Sequence, residues 1–136
     1  PVTAKKGQRA EAYGGLRIPI LHLTGTHDVS IIGDTTVGQR RIPYDNSTVP
    51  GTCLVVFKGG DHMVFSGRDT AWRDGRKDPR FHKLIRLSTT AFWDAHLRGD
   101  KKAAAWLKNA FPRVMGEDGT FECIGGNQPQ DSSAAD

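Results

Sequence analysis

The sequence has no apolar run approaching the ~20 residues that cross a bilayer. Its longest, Cys53 to Phe57, is strand-sized, so a membrane-spanning helix is excluded. It also has no dense basic run and no basic stripe interleaved with aromatics. Its 19 Lys and Arg stand scattered against 15 Asp and Glu, for a net charge of +4, so no nucleic-acid partner is expected. Cysteine is scarce: Cys53 and Cys123 are the only two, without metal-ligand spacing. Cys53 lies within an apolar strand and reads most simply as a buried thiol, with a Cys53–Cys123 bridge as the alternative. The redox compartment and the localisation therefore stay open. No H-x-x-x-H or H-E-x-x-H spacing occurs, so neither a metal nor a cofactor is expected. The chain opens on Pro1 with no initiator Met and no signal peptide, which reads as a processed or truncated start.

What is present is a globular balance, with 37% hydrophobic and 25% charged residues among 136, enough for one domain or part of a larger one. Lys5 to Tyr13 carries helix formers and stops at Gly14-Gly15. Leu16 to Thr24 reads as a strand, nearly apolar throughout, as in a sheet covered on both faces. Residues 29–51 are polar and rich in Gly, Pro and Thr, with one helical turn expected near Thr35 to Arg40. Thr52 to Phe57 is the second strand, expected to break at Gly59-Gly60. A polar loop over residues 66–79 holds Trp72. Asp78-Pro79 then has the composition of a helix start. Phe81, Leu84, Ile85, Ser88, Ala91, Phe92 and Ala95 recur at helical spacing, so one long helix is predicted to about Arg98. Gly99 stops it and Asp100 can cap a shorter helix carrying Trp106 and Leu107. Thr120 to Ile124 reads as a short strand or coil, residues 1–124 as one unit, and residues 125–136 as a frayed tail. There is no internal repeat.

This order of elements is an α/β pattern, but two strands do not make a viable sheet. At least one edge of the first strand needs a neighbour. In open α/β sheets, functional groups gather at the C-terminal ends of strands. Here Asp28 follows the first strand and His62 the second, each after a glycine-containing turn, Gly25-Thr26-His27 and Gly59-Gly60-Asp61. If the strands are parallel neighbours, the carboxylate can orient the imidazole and stabilise its cation, leaving the second ring nitrogen as a base. Asp34 and Asp61 are rivals for the acid. His27 is a turn residue placed to line the site, whereas His22 more simply packs within its strand. His82 and His96 read as boundary groups on the long helix. Met63, Phe65 and Trp72 can wall a pocket, though packing is the simpler role. A metal reading would need His27, Asp28, Asp61 and His62 to converge.

The stretch Ile18-Pro-Ile-Leu-His-Leu-Thr-Gly-Thr-His-Asp28, followed by Leu54-Val-Val-Phe-Lys-Gly-Gly-Asp-His62-Met-Val-Phe-Ser-Gly67, resembles the C-terminal portion of an α/β-hydrolase. The nearest flavour is the dienelactone-hydrolase and platelet-activating-factor-acetylhydrolase-like group, over roughly residues 10–110. The resemblance implies the last parallel strands of that sheet plus its long C-terminal helix, with Asp28 as triad acid and His62 as triad base. It also implies a small-molecule ester substrate. The family's nucleophile lies in G-x-S-x-G, and these 136 residues contain no such motif. Ser30, Ser47, Ser66, Ser88, Ser132 and Ser133 do not sit at a strand-to-helix elbow. The expectation is a catalytic-region fragment of a serine hydrolase whose N-terminal half is missing and whose isolated chain is inactive. The alternative is a non-catalytic α/β module that binds a partner through an exposed sheet edge.

Overall fold

The computed structural model describes residues 9–29, 35–66 and 78–125. In chain order the elements are α1 (Arg9–Gly14), β1 (Leu21–His27), α2 (Val37–Arg40), α3 (Ile42–Asp45) and β2 (Cys53–Asp61). A 3₁₀ turn, His62–Ser66, follows. Then come α4 (Asp78–Leu97), α5 (Lys101–Asn109), α6 (Phe111–Met115) and, after a second 3₁₀ turn, β3 (Gly119–Cys123). The three strands form one mixed sheet in the order β1-β2-β3, with β1 parallel and β3 antiparallel to β2. The protein is therefore of α/β character. No described helix is long and apolar enough to cross a membrane.

Alternation along the strands decides what each face meets. Cys53, Val55 and Phe57 of β2 join Phe81, Leu84, Ala91 and Phe92 of α4 in one buried cluster, with Leu107, Phe111 and Met115 from α5 and α6. Leu21 and Leu23 of β1 and Phe121 of β3 pack against it from the flanking strands. The opposite face carries His22 and Glu122, which meet α3 and its entry. The His22 and Tyr44 rings lie edge to face at 6.2 Å, and Arg41 grips Glu122 through two bonds of 3.0 Å. These carboxylate contacts and the second pair with Asp45 raise the Arg41 pKa further. Both faces of β2 are thus covered, as its unbroken apolar run requires.

Several boundaries differ from the sequence reading. The first strand spans Leu21–His27 rather than Leu16–Thr24. Leu16 instead closes a turn onto Tyr13, and Pro19 has no N–H to give a ladder. The second strand does not break at Gly59-Gly60 but continues to Asp61 through an irregularity where Gly25 pairs with Phe57 and His27 with Asp61. Gly59 takes a left-handed φ of 85° there, and its N–H donates to the Thr26 hydroxyl at 2.8 Å. The single turn expected at Thr35–Arg40 is two short helices, the second opening on Ile42-Pro43. Thr120–Ile124 resolves into β3, which pairs with β2 and covers that edge. Trp72, the sequence before Arg9 and the tail after Gly125 lie outside the described residues.

Cys53 is not a free thiol. It is bonded to Cys123, its direct cross-strand partner. The bond closes a span with a sequence separation of 70, worth about 4 kcal/mol if it acts by restricting the unfolded chain. It staples β3 to β2 and with it the segment carrying α4, α5 and α6.

The long helix ends as its residues dictate. Gly99 has φ 66°, and Asp100 N–H bonds back to the Asp94 carbonyl at 3.0 Å, satisfying a carbonyl that the helix end leaves open. The Asp100 carboxylate then accepts from Lys102 and Ala103 N–H, starting α5. Of the predicted buried face, Phe81, Leu84, Ala91 and Phe92 are buried and Ile85 is half-buried, while Ser88 turns its hydroxyl onto the Ile85 carbonyl. Phe92 is fully buried. Truncating it to Ala should cost roughly 3–5 kcal/mol in denaturant unfolding. A near-neutral result would mean that α4 does not pack through this face.

Candidate functional site

The site forms because β1 and β2 run parallel and end together. At the end of β1, Asp28 N–H bonds to the Gly25 carbonyl at 3.1 Å, a tight turn that folds the Asp28 side chain back along the strand. The carboxylate is buried, 3% exposed, and its Oδ2 accepts from the Thr24 hydroxyl at 2.9 Å. At the end of β2, the Asp61 carboxylate accepts from the N–H groups of Met63 and Val64 at 2.9 and 3.2 Å. Asp61 thereby caps the 3₁₀ turn that begins with His62. His82 of α4 reaches the Val64 carbonyl at 2.9 Å and ties that turn to the helix.

These two arrangements bring Asp28 and His62 together, with Nδ1 of the ring 3.0 Å from Oδ1. Asp28 accepts, so Nδ1 carries the proton of that bond and Nε2 is left as the basic nitrogen. The His62 side chain is 58% exposed, and Nε2 has no hydrogen-bond partner among the described residues. Chemically the pair is an imidazole with a carboxylate behind it, its second ring nitrogen on the side open to solvent.

Two further residues belong to the site that sequence reasoning did not find. Thr24 lies four residues before Asp28, and the need of a buried hydroxyl for a partner was its only signal. Arg40 sits at the end of α2. Its Nη2 lies 3.2 Å from Asp28 Oδ1 and its Nε donates to the Asp28 carbonyl at 3.2 Å. Nothing in the spacing of residues 28–40 marks that contact.

A cleft of about 380 Å³ adjoins the pair, lined by Tyr13, His22, Leu23, Asp28, Arg40, His62 and others. It takes in His22 and Thr24 from one face of β1 and Leu23 from the other, so it wraps the strand edge that β2 leaves unpaired. Phe65 lines it, but Met63 and His27 do not. His27 is exposed, and the placement expected for it beside the site is not what the structure shows. Asp61 is committed to its cap, and Asp34 lies outside the described residues. Among the described residues no group of three or more His, Cys, Asp or Glu converges as a metal centre would. Of the serines, Ser47 accepts from Val49 N–H, Ser66 donates to the Met63 carbonyl and Ser88 is buried within α4. Ser30, Ser132 and Ser133 lie outside the described residues.

Fold and site together define an α/β protein with a hydrogen-bonded Asp–His pair at the C-terminal ends of two adjacent parallel strands. No family model, no curated protein and no solved structure matches the chain.

His22 gives the site a pH signature of its own. Its Nε2 is buried with no partner among the described residues, and burial pushes the ring below its ordinary value of 6.5. Once the pH drops below about 6.5, the unfolded chain binds a proton at this ring that the folded chain resists. Stability should therefore fall as the pH falls through that window, and His22→Asn should remove part of the fall. Urea unfolding of both proteins at about pH 7 and about pH 5 measures it. An equal or steeper loss in the variant would contradict the burial argument.

Proposed function

We propose that this chain is the C-terminal half of an α/β-hydrolase domain of the dienelactone-hydrolase and platelet-activating-factor-acetylhydrolase-like group, hydrolysing carboxylic esters. Asp28 is the triad acid and His62 the triad base. The observation that carries the reading is the 3.0 Å contact of His62 Nδ1 with a buried carboxylate at the ends of parallel neighbours. In this reading the nucleophilic serine comes from a G-x-S-x-G elbow on a strand that neighbours β1. β1 pairs with no described strand besides β2, and this supports the reading, because a strand on its other edge would stand beside the pair and fill part of the cleft.

The chemistry then runs through Nε2. It takes the serine proton as the hydroxyl oxygen attacks the ester carbonyl, and later gives a proton to the leaving alcohol. Asp28 holds the ring by Nδ1 and offsets the charge of the imidazolium while it lasts. Water then attacks the acyl-serine carbonyl as it loses a proton to Nε2, and Nε2 returns that proton to the serine oxygen as the serine–acyl bond breaks and the acid leaves. The same edge, unpaired among the described strands, supports a second reading, a non-catalytic module that pairs with a partner strand through β1.

A p-nitrophenyl ester assay separates the two. The isolated chain should show no turnover above a His62→Ala control. Joining it to an upstream half with the nucleophile elbow should create turnover that requires His62, and Asp28→Asn should lower kcat by about 10⁴. Strong turnover by the isolated chain, undiminished in His62→Ala, would remove the triad reading. A joined protein that folds and stays inactive would favour the binding module.

A further inference from the structure

The Asp28 carboxylate is shared between two positive-going partners. Oδ1 lies 3.0 Å from His62 Nδ1 and 3.2 Å from Arg40 Nη2, while Oδ2 is taken by Thr24. Both oxygens of the acid are thus engaged in a place where only 3% of it meets solvent. Arg40 does more than touch the carboxylate. Its Nε holds the main-chain carbonyl of the same residue, so one guanidinium spans side chain and backbone of Asp28. It is itself largely shielded, with 13% of its side chain exposed, and so is screened less than a surface charge.

A carboxylate facing a neutral imidazole alone would hold the imidazolium strongly, and a base that keeps its proton is a poor base. A permanent cation on the same oxygen opposes that. We infer that Arg40 is a positioning residue of the Asp28–His62 pair, which fixes the acid and offsets part of its charge. It acts through Asp28 rather than on substrate, and the inference rests on the triad reading above.

The other titratable groups around the pair do not duplicate it. Asp61, adjacent in sequence, spends its carboxylate on the 3₁₀ turn. His27 pairs with Asp61 in the strand register and is exposed. His22 and Tyr13 line the cleft, and His82 is bonded to the Val64 carbonyl behind the turn. Arg40 is the only Arg or Lys among the described residues of the cleft lining.

The test follows the His62 ring by NMR across a pH titration of the chain as it stands. In Arg40→Gln the ring should take up its proton at higher pH than in the wild type. Arg40→Lys should return most of the shift. Asp28→Asn should move the ring the opposite way. A second measurement needs no variant: the Arg40 Nε–H signal of the wild type should move in step with the His62 ring, because both bond Asp28. An unmoved or lowered ring in Arg40→Gln, or an Arg40 signal indifferent to the His62 titration, would overturn the inference. If Asp28→Asn also leaves the ring unmoved, the acid–base pair itself fails and the triad reading with it. If Asp28→Asn moves the ring and Arg40→Gln does not, only the role of Arg40 falls.

Discussion

Where β1 and β2 end, their backbones pass so closely that β1 cannot carry a side chain at the crossing. A Cβ on Gly25 would run into the Gly60 carbonyl, and one on Gly60 would stand 2.9 Å from the Phe57 Cβ. That approach lets the Thr26 hydroxyl take the Gly59 N–H, and β2 advances four residues, Phe57 to Asp61, while β1 advances two, Gly25 to His27. The slip sets Asp61 opposite His27, and the next residue, His62, therefore starts its turn beside Asp28. An alanine at position 25 would push the two strand ends apart, and the acid and the base with them.

Charge is arranged around that crossing with little waste. Two aspartates stand near His62, and their surroundings give them different work. Asp61 is bound to N–H groups of its own turn, so its charge is used in ending the strand. Asp28 is buried and faces a hydroxyl, a guanidinium and an imidazole. Elsewhere the cross-strand disulfide and the Arg41–Glu122 pair anchor β3 to the sheet and to the α2–α3 corner. One edge of β2 is thereby closed by β3, while β1 pairs with no other described strand.

Much of this was legible in the sequence because it rests on local chemistry. The period of Phe81, Leu84, Ala91 and Phe92 marks the long helix, and Gly99 with Asp100 marks its end. Asp28 and His62 stand out because each follows an apolar run and a glycine turn. What was not legible depends on pairing in space. The strand ends shifted because Pro19 and the Gly59 bulge act only once β1 has a partner. Cys53 read as a thiol because Cys123 lies across an antiparallel pair that the sequence left between strand and coil. Arg40 was hidden for the same reason, as a basic residue in a polar connection whose partner is reached only when α2 folds back over the end of β1.

The central claim is that Asp28 holds His62 by Nδ1 and leaves Nε2 to act as the base. The most direct measurement is a long-range proton–nitrogen NMR spectrum of the neutral His62 ring, which reads which nitrogen bears the hydrogen. The account predicts the proton on Nδ1 in the wild type and a return to the ordinary Nε2-protonated excess in Asp28→Ala. A wild-type ring protonated mainly on Nε2, with a spectrum that Asp28→Ala leaves unchanged, would contradict it.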